Sequence, residues 1–156
     1  MASDAVERFR EHAERLGVPV ELEEFPAGTR TAEDAAAAIG CDVGQIVKSL
    51  VFVADGRPVL VLTSGRNRVD EAKLAEVLSA EEVRKADAAE VRQATGYAIG
   101  GTPPFGHPTQ LTVICDPHLL TFEQVWAAAG TPSSVFALTP DDLLRATSAE
   151  TRDVTG

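Results

Sequence analysis

The 156-residue sequence predicts one mixed α/β (α+β) domain, and three features predict it. Two long apolar, β-branched runs, residues 46–53 and 58–63, flank Asp55-Gly56, the signature of a hairpin. Amphipathic stretches with recognisable caps stand on both sides of that hairpin. Short strand-like runs then recur between the later helices, so the order mixes hairpins with crossovers.

The elements follow in order. Val6, Phe9, Ala13 and Leu16 recur at three- and four-residue steps, so residues 3–16 form a helix that Ser3 caps and Gly17 ends. Residues 18–25 alternate weakly as a strand, and residues 26–30 turn. Thr31 caps a helix to Ile39, with Asp34 three residues on and Gly40 as its stop. Both hairpin strands are nearly continuous in apolar residues, which predicts a sheet covered on both faces. Ser64-Gly65 turns the chain, and a helix opening at Val69 or Asp70 runs to Leu78. Asp87 and Glu90 make a capping box for a helix that Gly96 closes. Residues 97–99 read as a short strand and 100–108 as a Gly/Pro loop. Residues 111–115 form a strand. Thr121 caps a helix with Phe122, Val125, Trp126 and Ala129 on one face, ended by Gly130. Residues 135–138 form a strand, and Thr139-Pro140 opens a last helix. No linker or internal repeat appears, so residues 1–156 read as one domain.

Apolar residues make up 44% and charged residues 24%, which excludes disorder and collagen-like repetition. The 24 acids against 14 bases give a net charge of -10, which argues against a basic nucleic-acid coat. The acidity is uneven. Residues 44–73 hold five bases (Lys48, Arg57, Arg66, Arg68, Lys73) against three acids (Asp55, Asp70, Glu71), the one net positive stretch. Cys41 and Cys115 show no Cys-x-x-Cys spacing, so they read as free thiols rather than a disulfide framework or zinc site. No run approaches the roughly 20 apolar residues of a membrane span, and the acidic N-terminus lacks a signal-peptide core. The expectation is a soluble, cytoplasmic protein that engages no membrane.

Three features are suited to chemistry. Lys48 shares a strand face with Ile46, Leu50 and Phe52, while Val47, Ser49, Val51 and Val53 share the other. A lysine so flanked must snorkel, pair with an acid or line a cleft. The other two lysines sit in helical, polar contexts. The loop Gly100-Gly101-Thr102-Pro103-Pro104-Phe105-Gly106 is either a structural turn or a stiff cradle whose amides hold an ester carbonyl or an attacking water. Ser64, Arg66 and Arg68 sit in a strand–turn–helix junction that is either an anion site or a solvated turn. Asp116 is either a base or, as usual for a strand-terminal Asp before Pro, a turn residue. His107 reads as a surface loop residue. His12, His107 and His118 show no metal-ligand spacing, and no Gly-x-Ser-x-Gly elbow occurs.

Along nearly the whole chain, Thr31-Ala-Glu-Asp-Ala-Ala, Gly44-Gln-Ile-Val-Lys48-Ser-Leu-Val-Phe, Arg68-Val-Asp-Glu-Ala-Lys-Leu-Ala, Thr95-Gly-Tyr-Ala-Ile-Gly-Gly101 and Pro103-Pro-Phe-Gly106 resemble the YbaK family, also called the prolyl-tRNA-synthetase-associated editing domain. The resemblance implies a single mixed α/β domain around a central, largely antiparallel sheet. It implies an aminoacyl-tRNA deacylase that needs no metal and no cofactor. The substrate would be a small amino acid of Cys, Ala, Ser or Thr type wrongly esterified to the tRNA acceptor end, with prolyl-tRNA synthetase or another synthetase as partner. The alternative is a non-catalytic module of the same fold that binds tRNA or a synthetase. The family's essential lysine falls on Lys48, the hydroxyl residue after it on Ser49, and its Gly-x-x-Pro loop on Gly101 to Pro104, with Gly100 and Phe105 beside it. Gly101 is the expected oxyanion donor. A family aromatic, often Tyr, falls on Phe25, where the hydroxyl is missing. Gly130, Thr131 and Ser133 fall near the pocket, and Arg66 and Arg68 are the expected phosphate contacts. A footprint confined to the acceptor end, with few phosphate contacts, reconciles a tRNA substrate with the net acidity.

Overall fold

The β-branched hairpin is the centre of the molecule. In the computed structural model, which describes residues 2–25 and 31–156 and side chains from Asp4 onward, β2 (Val47–Ala54) and β3 (Arg57–Ser64) pair antiparallel over their full length. The turn between them places Asp55 and Gly56 at positive φ, as the Asp-Gly pair requires. β3 is buried on both faces from Val59 to Ser64, as its unbroken apolar run predicts.

Three further strands complete a five-stranded sheet in the order β4-β2-β3-β5-β8. β4 (Val83–Lys85) runs antiparallel to the end of β2. β5 (Thr112–Cys115) runs parallel to β3, and β8 (Glu150–Thr151) parallel to β5. A second, antiparallel sheet has the order β1-β7-β6, from β1 (Leu22–Glu24), β7 (Ser134–Leu138) and β6 (Val125–Ala128). The architecture is therefore mixed α/β with two sheets, and the central one is mixed rather than largely antiparallel. The two sheets touch where Ile46, just before β2, bridges Trp126 of β6 in parallel.

Among the described residues five helices flank the sheets: α1 (Ala2–Leu16), α2 (Ala32–Ile39), α3 (Glu71–Leu78), α4 (Ala88–Thr95) and α5 (Pro140–Thr147). Their caps are those the sequence predicts. Thr31 accepts from the Asp34 amide, Asp70 from Ala72 and Lys73, and Thr139 from Asp142. Asp87 and Glu90 close a reciprocal box, and Gly40 and Gly96 end their helices in the left-handed region. The first helix already starts at Ala2, so Ser3 stands inside its first turn rather than at its cap, and the turn expected over residues 26–30 lies outside the described residues.

The larger core lies between the sheets and α1. Phe9 is fully buried, with ring centroids 5.0 Å from Phe105 and 4.8 Å from Phe136, and packs in one cluster with Val47, Val51, Leu60, Leu62 and Val113. A smaller cluster on the opposite face of the central sheet joins Phe52, Val59, Val61 and Ile114 to Leu74 of α3 and Val154.

Two expected elements change, and two strands come in addition. Residues 121–130 do not form a helix. A 3₁₀ turn, Pro117–Thr121, leads into β6, where Val125 and Ala127 are buried and Trp126 and Ala128 half-buried, a period of two. Val125 and Trp126 favour an extended chain, and pairing with β7 outweighs the helical spacing. Residues 97–99 form a bend rather than a strand, because the buried Thr95 hydroxyl accepts from the Tyr97 amide and donates to the Val91 and Tyr97 carbonyls. Finally, β4 and β8 are too short to carry a periodic signal.

One prediction arises from α4. Arg84 on β4 grips Glu90 through two parallel 2.8 Å hydrogen bonds, and the Asp87 amide also donates to Glu90. The guanidinium first, then that amide, holds the Glu90 carboxyl down at about 2. A carboxyl whose folded pKa is depressed contributes stability above its unfolded value, and that contribution disappears as pH falls toward the folded one. Glu90 should therefore titrate near 2 by carbon-detected NMR, and Arg84→Ala should return it toward the ordinary value of 4.5.

Candidate active site

The free edge of β2 creates the cleft. On that side β4 covers only the last residues of the strand: Phe52, Val53 and Ala54 pair with Lys85, Arg84 and Val83, and the Ala86 amide donates to Val51 O at 3.0 Å. β6 covers only the start, through the single Ile46–Trp126 bridge. Between them opens a cleft of about 580 Å³. Its walls include β2 from Val47 to Val51, Trp126 to Ala128 of β6, Thr31 to Ala35 at the start of α2, Gly65 to Arg68, Lys85, and Ile99, Gly100 and Thr102.

Lys48 is the half-buried cation of this cleft. Its ammonium donates to the Asn67 carbonyl at 2.6 Å. Burial pushes its pKa below the ordinary lysine value. Glu33 opposes that shift, Arg68 and Lys85 reinforce it, and Asp116 opposes it. The acceptor carbonyl is itself held. Asp116 is 1% exposed, and its Oδ2 accepts from the Asn67 side chain at 2.9 Å and from the Ser64 amide at 3.1 Å, while Oδ1 accepts from His118 N at 2.9 Å. Asp116 is thus the anchor of the turn that presents Asn67 to Lys48, which is the turn reading of that residue. Truncating it strands three donors, so Asp116→Ala should cost on the order of 3 kcal/mol in urea denaturation.

Thr102 and Gly100 line the cleft from the Gly/Pro loop, but Gly101 does not. The Gly101 amide donates to Ala98 O at 3.0 Å, and its carbonyl accepts from Gly130 N at 3.1 Å. A Cβ on Gly101 would sit 2.7 Å from Thr131 Cα and 2.9 Å from Gly130 O. Glycine is therefore required there for close backbone packing. The expected oxyanion donor is already engaged, and among the described residues the loop amides left without an acceptor at the cleft are those of Gly100 and Thr102. Pro103, Pro104 and Phe105 are buried behind the loop, and Phe105 belongs to the core against Phe9. His107 is half-buried rather than a surface residue, with Nε2 2.8 Å from Pro103 O, which braces the loop.

The other expected residues divide in the same way. Ser49 lines the cleft, and its buried hydroxyl has no hydrogen-bond partner among the described residues. Arg66 and Arg68 line it too, with Arg66 also ion-paired to Asp42 at 2.7 Å. Ser64 is fully buried, and its hydroxyl donates to Gly44 O at 2.7 Å, so it shapes the turn without reaching the cleft. Gly130, Thr131 and Ser133 sit behind Pro132, which does reach the cleft. Thr131 is bonded to Ser134, and Gly130 at φ 118° packs on the Ala5 backbone. Phe25 is off the cleft, and its amide donates to Ser133 O.

Lys85 and Glu33 are the charged wall residues that sequence reasoning missed. Lys85 lies not in the helical context its sequence neighbourhood suggests but at the end of β4, beside the cleft. With Lys48, Arg66 and Arg68 it makes the cleft locally cationic in an acidic protein. Cys115 is buried, which pushes its thiol up to about 12, and Cys41 is half-buried; both are free thiols. Among the described residues no helix is long and apolar enough to cross a membrane.

The chain is similar to several known proteins. The chain is 31% identical over 140 residues to an uncharacterised protein, YwhH, of Bacillus subtilis, covering 89% of this chain and 88% of that one. It is 35% identical over 103 residues to the proline–tRNA ligase of Lactobacillus helveticus, covering 66% of this chain but only 18% of the ligase. The crystal structure of a proposed trans-editing enzyme for prolyl-tRNA synthetase superposes with a TM-score of 0.92 at 44% identity, over 97% of each chain. The family model of the aminoacyl-tRNA editing domain matches residues 26–146, most of the sequence and all the cleft walls just described. The chain belongs to the aminoacyl-tRNA editing domain family.

Proposed function

We propose that this protein is a trans-editing deacylase that hydrolyses the ester between a small, wrongly attached amino acid, of Cys, Ala, Ser or Thr type, and the 3′ end of a tRNA, with residues 1–156 as one editing domain. The observation that carries this reading is the half-buried Lys48 ammonium in a cationic cleft that also holds unengaged backbone amides. Water attacks the ester carbonyl carbon, the bond to the ribose oxygen breaks, and the proton that water loses is balanced by the one the ribose oxygen gains. The carbonyl oxygen becomes an oxyanion on the way, and the cleft-lining Gly100 and Thr102, whose amides have no acceptor among the described residues, support its stabilisation by backbone donors. Lys48, with Arg68 and Lys85 behind it, suits the terminal phosphate or the charge near the ester. A synthetase pocket separates small or isosteric side chains poorly, so a second hydrolytic site raises fidelity.

The reading is tested by incubating the protein with tRNAs charged with Cys, Ala, Ser and Thr, and with the corresponding aminoacyl-adenosines. Hydrolysis of one or more of the tRNA esters well above the spontaneous rate is expected. Equal rates on the adenosine esters would shift the substrate from tRNA to free aminoacyl esters. Binding of tRNA without ester loss would favour the non-catalytic module.

A further inference from the structure

The backbone of β2 at the cleft is itself a binding element. In an antiparallel strand each residue presents its N–H and C=O on the same side, and the side alternates. Ile46 O accepts from Gly65 N, toward β3, and Val51 O accepts from Ala86 N, toward β4. The β2/β3 register is one-to-one from Val47 to Ala54. Lys48 and Leu50 therefore bond β3, whereas Val47, Ser49 and Val51 face the opposite edge. β3 agrees: the Ser64 amide turns away to Asp116, and Leu62 O, opposite Ser49, accepts from Asp116 N. On the free edge Val47 adjoins the Ile46–Trp126 bridge and Val51 meets Ala86, while among the described residues Ser49 has no ladder partner. Its N–H and C=O point into the gap, and its hydroxyl, on the core-side face, is buried without a partner among the described residues.

An N–H donor and a C=O acceptor side by side on a strand edge match one residue of an extended chain. An aminoacyl ester offers that pattern at one carbon: an α-ammonium that donates and an ester carbonyl that accepts. We propose that the free edge of β2 holds the aminoacyl group as a one-residue strand, with Ser49 C=O accepting from the α-ammonium and Ser49 N–H donating to the ester carbonyl. This rests on the deacylase reading. The arrangement recognises the part common to all amino acids, leaves the side chain to the cleft walls, and adds Ser49 N–H to the donors facing the developing oxyanion. It also gives a role to the residue of β2 that, among the described residues, neither β4 nor β6 covers.

The test has two arms, both run on an ester that the wild-type protein hydrolyses. In the first, that aminoacyl-tRNA is compared with its α-hydroxyacyl counterpart, made by deaminating the same charged tRNA, each rate divided by the spontaneous rate of its own ester. The charged donor is lost, and a rate enhancement at least tenfold lower is expected. In the second, Ser49→Pro removes the edge N–H without breaking a bond to β3, a position where strands tolerate proline. Its reference is Ser49→Ala, which lacks the same hydroxyl but keeps the N–H. A further loss of at least a hundredfold in kcat/KM is expected, in a protein whose circular dichroism matches the reference. If Ser49→Pro does not fold, the first arm decides alone. Equal enhancement on the two esters, or equal activity of the two folded variants, overturns the proposal while leaving the deacylase reading intact. Absence of hydrolysis by the wild type overturns that reading instead.

Discussion

Lys48→Ala is expected to lower kcat/KM for a hydrolysed aminoacyl-tRNA at least a hundredfold, about 2.7 kcal/mol of transition-state stabilisation, with the fold unchanged. The ammonium is half-buried and, among the described residues, held by one carbonyl, Asn67 O, with no carboxylate ion-paired to it, so its charge is available to the cleft. A cation in that setting acts through a lower dielectric than water provides. Removing it relieves a desolvation cost and breaks no ion pair, so thermal unfolding should shift little while the rate collapses. Lys48→Arg separates charge from geometry: the planar guanidinium is longer and cannot place a point charge over the Asn67 carbonyl, so it should recover only part of the rate. Steady-state deacylation with circular-dichroism melts on the same preparations checks both halves. A variant that loses rate and stability together would mark Lys48 as a structural residue.

Gly101→Ala should behave in the opposite way, losing stability and activity together. The new Cβ would meet Thr131 Cα at 2.7 Å and Gly130 O at 2.9 Å, both backbone, so neither can rotate aside. The loop must lift off residues 130–131, breaking the Gly130 N to Gly101 O bond and displacing the Gly100 and Thr102 amides. Overpacking of this kind costs about 1–3 kcal/mol, which for a chain of this size lowers Tm by roughly 2–4 °C per kcal/mol. Differential scanning calorimetry with deacylation on the same sample reads both. Loss of rate without loss of Tm would return Gly101 to a direct role in the chemistry.

Much of the fold was legible because its signals are local. Caps at Thr31, Asp70, Asp87 and Thr139 are satisfied within three residues, and the Asp55-Gly56 turn needs only its two flanking strands. Residues 121–130 were misread because the apolar spacing there fits a helix as well as a strand, and only long-range pairing with β7 decides. Within the site, Lys48 was legible as an isolated cation on an apolar strand. Lys85 was not, since its place depends on a three-residue strand docking beside β2. The Gly/Pro loop was identified, but which amides remain unengaged depends on backbone bonds from Gly101 to Ala98 and Gly130 that composition does not reveal. Ser49 showed only its side chain in the sequence, whereas its unpaired backbone follows from where β4 and β6 stop.

The most direct measurement is the time course of ester loss from tRNAs charged with Cys, Ala, Ser and Thr, with the purified wild-type protein and with Lys48→Ala side by side. The wild type should hydrolyse one or more of these esters well above the spontaneous rate, and the variant should fall close to that background. If no ester is lost faster with the wild type than with Lys48→Ala, the cleft around Lys48 is not a deacylase site.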